Sequence, residues 1–145
     1  MREILFRGKQ MDNGRWVEGY LGKSVMHLET FHQNVVVDTI EVYDGESYLN
    51  IVFRNVSANS IGQFTGLADN IGRKIFEGDI VSIGGHDATV DGLYCVIYDA
   101  TNHCWALKRS TEHHHHYFTF SDLNGFADTS TVVGNIHDNP ELLEV

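Results

Sequence analysis

The sequence predicts a mainly β fold, a small barrel or sandwich of ten or so short strands. Fourteen glycines stand against one proline, and 11% of the 145 residues are aromatic, which is the composition of strands joined by tight turns. Apolar and β-branched runs recur at near-regular spacing, each bounded by Gly, Asn or Asp, and no long amphipathic helix interrupts them. The length matches one compact domain. It suffices to bury roughly 68–70% of the unfolded chain's surface, so stability needs no disulfide or metal staple. Collagenous, coiled-coil and disordered classes are excluded by composition.

Residues 3–7 and 16–21 are strand-like and flank Asp12, Asn13 and Gly14, residues that tolerate positive φ, so they read as a hairpin. Residues 39–43 and 48–53 form a second pair about the turn residues 44–47, whereas residues 24–34 have mixed character and receive no element. Residues 61–67 read as a strand, 68–74 as a polar link, and Gly78-Asp79 as a turn feeding a strand through Ile80, Val81 and Ile83. The clearest hairpin joins residues 93–98 to 104–108 through 99–103, and residues 117–120 and 131–136 add two strands. Ser121, followed by Asp122, suits the N-cap of a short helical turn within 121–128. Asn139-Pro140-Glu141 likewise spells a short helix start.

Ten Lys/Arg against twenty Asp/Glu give a formal net charge of −10, which opposes general affinity for nucleic acid or anionic membranes. The imbalance is concentrated in the second half: residues 1–74 carry 8 basic and 9 acidic side chains, residues 75–145 only 2 basic and 11 acidic. Residues 1–10 are charged throughout, with only Ile4, Leu5 and Phe6 as an apolar run, so neither a signal peptide nor a membrane span is expected. Cys95 and Cys104 are too few for a secreted framework and are expected as free thiols in a cytoplasmic protein. One register of their hairpin sets them opposite each other, and a register slipped by one does not.

Three stretches resemble a known family. They are Phe6-Arg7-Gly8-Lys9 with Gly14-Arg15-Trp16-Val17-Glu18-Gly19-Tyr20; Ile61-Gly62-Gln63-Phe64-Thr65-Gly66-Leu67, followed by Asp69, Gly72 and Ile75-Phe76-Glu77-Gly78-Asp79-Ile80-Val81; and the closing Val133-Gly134-Asn135-Ile136-His137-Asp138-Asn139-Pro140-Glu141-Leu142-Leu143. Their order and content resemble the YopX family of phage and prophage proteins. The resemblance implies an N-terminal β region over residues 1–58 and an SH3-like β-barrel over 59–145, or the two as one compact unit. Gly62, Gly66, Gly78, Asp79, Gly134 and Pro140 stand in it as structural motif positions. It implies a mobile-element context and supplies no activity, catalytic residue or cofactor.

The residues themselves offer four candidate chemistries. Histidines run from His113 to His116; on a strand His113 and His115 share one face and are weak metal candidates, with Glu112 able to add an oxygen. Without a placed third ligand, the run reads as a solvated loop that is dispensable for folding. Glu77 and Asp79 share a side only if Gly78 continues a strand; turn chemistry, with the Asp79 side chain accepting backbone N–H bonds, explains every residue there. Trp16, Trp105, Tyr20, Tyr94 and Tyr98 suit a stacking platform for single-stranded nucleic acid, but a basic groove is lacking in the acidic half. The excess of carboxylates makes Asp87, Asp91 and Asp99 candidates for recognising a protein with a basic face.

No Walker A loop, dinucleotide fingerprint, nucleophile elbow or zincin motif is present. The expected function is that of a non-enzymatic accessory protein, without catalytic residues or cofactor, that contacts a host or phage protein or assembles with itself. The alternatives are a nucleic-acid-binding module on the SH3-like part and a metal-dependent enzyme built on the histidine run.

Overall fold

The structure, a computed structural model, describes residues 3–28, 33–43, 51–110, 115–120, 122 and 125–143. The chain forms two compact units, Met1–Gln63 and Phe64–Val145. The expected mainly β class holds: eleven strands account for nearly all regular structure among the described residues, and every ladder is antiparallel.

In the first unit, β1 (Phe6–Lys9) pairs with β2 (Trp16–Leu28), β2 with β3 (Gln33–Tyr43), and β3 with β4 (Ile51–Asn55). The β1–β2 turn closes as its residues dictate: Gln10 N–H donates to the Arg15 carbonyl at 2.8 Å, the Asn13 side chain accepts from Arg15 N–H at 2.9 Å, and Gly14 takes φ +67°. β1 lies about two residues later than the 3–7 reading. Leu5 remains buried, and Gly8 makes room for Val56, whose Cβ lies 2.9 Å from where a Gly8 Cβ would be.

Residues 24–34, which carry no clear pattern, belong to a long hairpin. β2 continues to Leu28 and β3 begins at Gln33, with rungs from Tyr20↔Glu41 to Leu28↔Gln33. β2 changes partner along its length, because its rungs with β1 end at Gly19 and those with β3 begin at Tyr20. At that corner the Glu41 carbonyl oxygen lies only 1.9 Å from the position of a Gly19 Cβ, so no other residue fits without moving β3. The turn proposed for residues 44–47 lies outside the described residues. The pairing it was to close is present, from Tyr43↔Ile51 to Thr39↔Asn55.

β5 (Gly62–Ala68) starts in the first unit, where Gly62 and Gln63 pair with Arg7 and Phe6. In the second unit its Phe64 and Ala68 pair with Phe76 and Lys74 of β6 (Lys74–Phe76). β7 (Asp79–Ile83), β8 (Gly92–Asp99), β9 (Cys104–Ser110), β10 (His115–Thr119) and β11 (Ser130–Asn135) make a five-stranded sheet of order β10-β9-β8-β7-β11. No ladder closes β10 onto β11 among the described residues. Alternation puts Val81 and Ile83 of β7, Tyr94 and Val96 of β8 and Leu107 of β9 into one core with Ile75 and Phe126. Each such side chain, fully buried, contributes about 1.5–3 kcal/mol.

Two local readings change, and the open choice of cysteine register is resolved. The helical turn is α1 (Phe126–Thr129), which starts after Gly125 in the left-handed region, while Ser121 lies outside the described residues. Stacking of Phe126 on Phe120, with ring centroids 4.3 Å apart, anchors the turn at that point. The β8–β9 register opposes Cys95 to Lys108 and Cys104 to Asp99, so the cysteines do not face each other. His115 and His116 are strand residues, opposite Ser110 and Arg109, rather than part of a loop; β-ladder bonding captures them, and His113 and His114 lie outside the described residues.

The Gly78 backbone has φ +86°, and a Cβ there would meet Ile136 at an ordinary 3.6 Å, so a larger residue is penalised by conformation rather than by space. Gly78→Val is therefore expected to cost roughly 1–3 kcal/mol. A urea titration reads this directly, and a parental midpoint would refute it.

Candidate functional site

The carboxylates of the second unit divide into those that close turns inside the fold and those that face solvent. Asp79, buried at the start of β7, accepts the Phe76 N–H at 2.8 Å across the turn made by Glu77 and Gly78. Positive φ at Gly78 interrupts the strand, so Glu77 and Asp79 do not share a strand face as paired acid–base work would need. Asp69 is buried too. One oxygen accepts from Ile71 N–H at 3.1 Å and Arg73 N–H at 2.9 Å, and the other from Val132 N–H at 2.9 Å, with Arg73 Nε at 3.4 Å. Burial raises its pKa, but the bonds from Val132, Arg73 and Ile71 and the Arg73 charge outweigh this and lower it.

The three recognition candidates cap turns of their own, and they lie in two places. The Asp87 carboxylate accepts from Thr89 N–H at 2.8 Å, from Val90 N–H at 3.3 Å and from the Thr89 hydroxyl. Those bonds, the hydroxyl's first, hold its pKa below the usual carboxylate range. Asp91, in the same connection, accepts from His86 N–H at 3.0 Å. The Asp91 carbonyl receives Arg109 Nη1 at 3.1 Å, and the Tyr94 hydroxyl donates to the Val90 carbonyl at 2.6 Å, so the connection is pinned to β8 and β9. Asp99 sits in the β8–β9 turn, accepting from Thr101 N–H at 2.9 Å and Asn102 N–H at 3.2 Å. β8 separates Asp99 from Asp91 by roughly 25 Å of extended chain. The fold therefore brings Asp87 and Asp91 together and places Asp99 at the other end of the strand.

The motif positions take backbone roles. Gly62 is paired with Arg7, Gly66 has φ +89° within an irregular stretch of β5, Gly134 follows the bulge in β11, and Pro140 opens the 3-10 turn Pro140–Leu143. Of the aromatic candidates of the second unit, Tyr94 and Trp105 are committed to packing, whereas Tyr98 is 46% exposed. Tyr94 is fully buried, and Trp105 packs on the core with its ring 5.2 Å from Tyr98. In the first unit Arg7 lies over Trp16 at 4.6 Å and Lys9 at 5.9 Å. No group of three or more His, Cys, Asp or Glu is placed to hold a metal among the described residues.

Sequence reading missed a feature of the first unit. Tyr20, Glu41 and Phe53 stand in one row across β2, β3 and β4, with both aromatics exposed. Phe53 also lines a cleft of about 180 Å³ with Gln10, Met11, Asp12, Arg54 and Asn55. Only the strand register reveals the row, since its members are 21 and 12 positions apart.

Two outcomes follow from these surroundings. Burial first, then the charges of Asp79 and Glu77, push the Cys95 thiol up to about 11. At pH 8 its thiolate fraction, and hence its alkylation rate, should be roughly a hundredfold below that of an ordinary cysteine. Site-resolved mass spectrometry of native against urea-unfolded protein checks this, and equal rates at Cys95 would contradict it. Because the folded pKa of Asp69 is depressed, its contribution to stability is present above the ordinary value of 3.8 and is lost as pH falls through the lower folded value. Asp69→Asn should cost about 1–3 kcal/mol at neutral pH by leaving a buried N–H unmatched. It should also flatten the acid limb of the stability curve; an unchanged limb would show that other carboxylates control it.

No curated protein matches the chain, and no described helix is long and apolar enough to cross a membrane. Among solved structures it is similar to the crystal structure of protein EF1440 from Enterococcus faecalis, with 22% identity and a TM-score of 0.46, covering 99% of this chain and 100% of that one. The family model described as YopX protein matches residues 5–144, nearly the whole chain, so the chain belongs to the YopX family.

Proposed function

We propose that this chain is a non-enzymatic accessory protein of a phage or prophage that acts in the host cytoplasm by binding a host or phage protein through a basic face of that partner. The observation that carries the reading is the pair Asp87 and Asp91, displayed in one connection and held in place by turn bonds, within a unit whose residues 64–145 hold 4 Lys/Arg against 12 Asp/Glu. Carboxylates pre-positioned by their own turns lose little freedom on meeting a cation, and their field steers a basic surface toward them. An aspartate is ionised at physiological pH, and the Thr89 bonds lower the Asp87 pKa further. The alternative, nucleic acid on the SH3-like part, meets that same acidic balance, which repels phosphate.

The test takes the protein that the tagged chain retains from host lysate during prophage induction and measures its association rate at low and at physiological salt. The rate should fall on the order of tenfold with salt, and again when Asp87, Asp91 and Asp99 are changed to Asn. Asparagine keeps a side-chain oxygen for the turn N–H groups, so the variant loses charge while retaining its caps. Comparing the Asp87/Asp91 pair with Asp99 alone identifies the end of β8 that is used. A rate insensitive to both salt and substitution rejects the acidic turns as the recognition surface.

A further inference from the structure

We infer that the β2–β3 hairpin of the first unit is an arm through which two copies of this chain associate, by edge-to-edge pairing of β2 with the same strand of a second copy. This goes beyond the acidic turns and does not depend on them. β1 pairs with β2 only up to Gly19, and β4 with β3 only down to Thr39. Just past those rungs the Asp38 carbonyl accepts the Val56 N–H at 3.0 Å, and from Ser24↔Val37 to Leu28↔Gln33 the two strands form ladder rungs only with each other among the described residues. A two-stranded ribbon in water is marginally stable at best, and its free N–H and C=O groups form a template for another strand.

The chemistry of the arm selects the occupant. Its edge, Leu21-Gly22-Lys23-Ser24-Val25-Met26-His27-Leu28, contains no proline and no carboxylate, and none of the usual edge-blocking bulges occurs in the register. Leu21 and Val25 are 45% and 69% exposed. Lys23 Nζ is matched within its own arm by Asp38 at 3.0 Å, so the ribbon from residue 23 to 28 and 33 to 38 is neutral in a chain of net charge −10. A second copy, repelled by the acidic remainder, meets no charge penalty here. Antiparallel pairing of a strand with itself about a two-fold axis is self-complementary, since residue i meets j and j meets i. The shared edge is about 25 Å long, short of a permanent interface, so association is weak and concentration-dependent.

The test uses the full chain. Light scattering across a wide concentration range should show monomer passing to dimer, with amide hydrogen exchange in residues 21–28 slowing as the dimer forms. Val25→Lys puts a charge on an already exposed position and should weaken the dimer by about tenfold or more. A monomer at every concentration overturns the inference, and so does a dimer whose arm amides exchange as fast as the monomer's. A dimer of unchanged affinity in the folded Val25→Lys protein overturns it as well. If that variant does not fold, the exchange measurement on the parent decides alone. Protection of the arm only when a different protein is added assigns the edge to that protein and likewise overturns pairing between copies.

Discussion

Both sides of the Gly78 peptide are bonded. Its N–H donates to the Val96 carbonyl at 2.9 Å, and its carbonyl accepts the Ile136 N–H, also at 2.9 Å. Directly after it, Asp79 closes the turn back to Phe76. One tight turn thus holds β6, β7, β8 and the chain leaving β11, and it can do so because a glycine there reaches φ +86°. The core of Val81, Ile83, Tyr94 and Val96 assembles on β7, which starts at this turn, and on β8, which the turn holds at Val96. Asp69 makes a comparable connection across 63 positions, from the β5–β6 turn to Val132 in β11. Carboxylates in this unit are thus first of all backbone partners, and those left at the surface supply its field.

Legibility followed the strength of local signals. The β8–β9 hairpin was readable because alternation and turn residues agree over residues 93–108. The Gly78-Asp79 motif was readable because turn chemistry leaves few other uses for a glycine followed by an aspartate ahead of an apolar run. The arm was not, because Val35-Val36-Val37 and the histidine-bearing stretch before it lack period-two alternation. The extension of β10 into the histidines was hidden for a related reason, since ladder bonds to Ser110 and Arg109 override side-chain preference.

For the candidate site, sequence located the charge but not its arrangement. That Asp87 and Asp91 share a connection follows from proximity in the chain, whereas the displacement of Asp99 depends on β8 running extended between them. The register also decided the cysteines, whose separation a slip of one rung would alter. The exposed row of Tyr20, Glu41 and Phe53 depends on two registers at once. Long-range strand pairing is the information that a single sequence conveys most weakly.

The corner at Gly19 has an evolutionary consequence. Since no rung of β2 is shared between its β1 ladder and its β3 ladder, the two ladders meet only through that residue. Residues can be gained or lost in pairs beyond the corner, keeping the pleat in phase, without disturbing any bond before it. The arm beyond Ser24↔Val37 is therefore expected to tolerate paired changes of length, whereas Gly19 is expected to tolerate no side chain, because any Cβ there meets the Glu41 carbonyl.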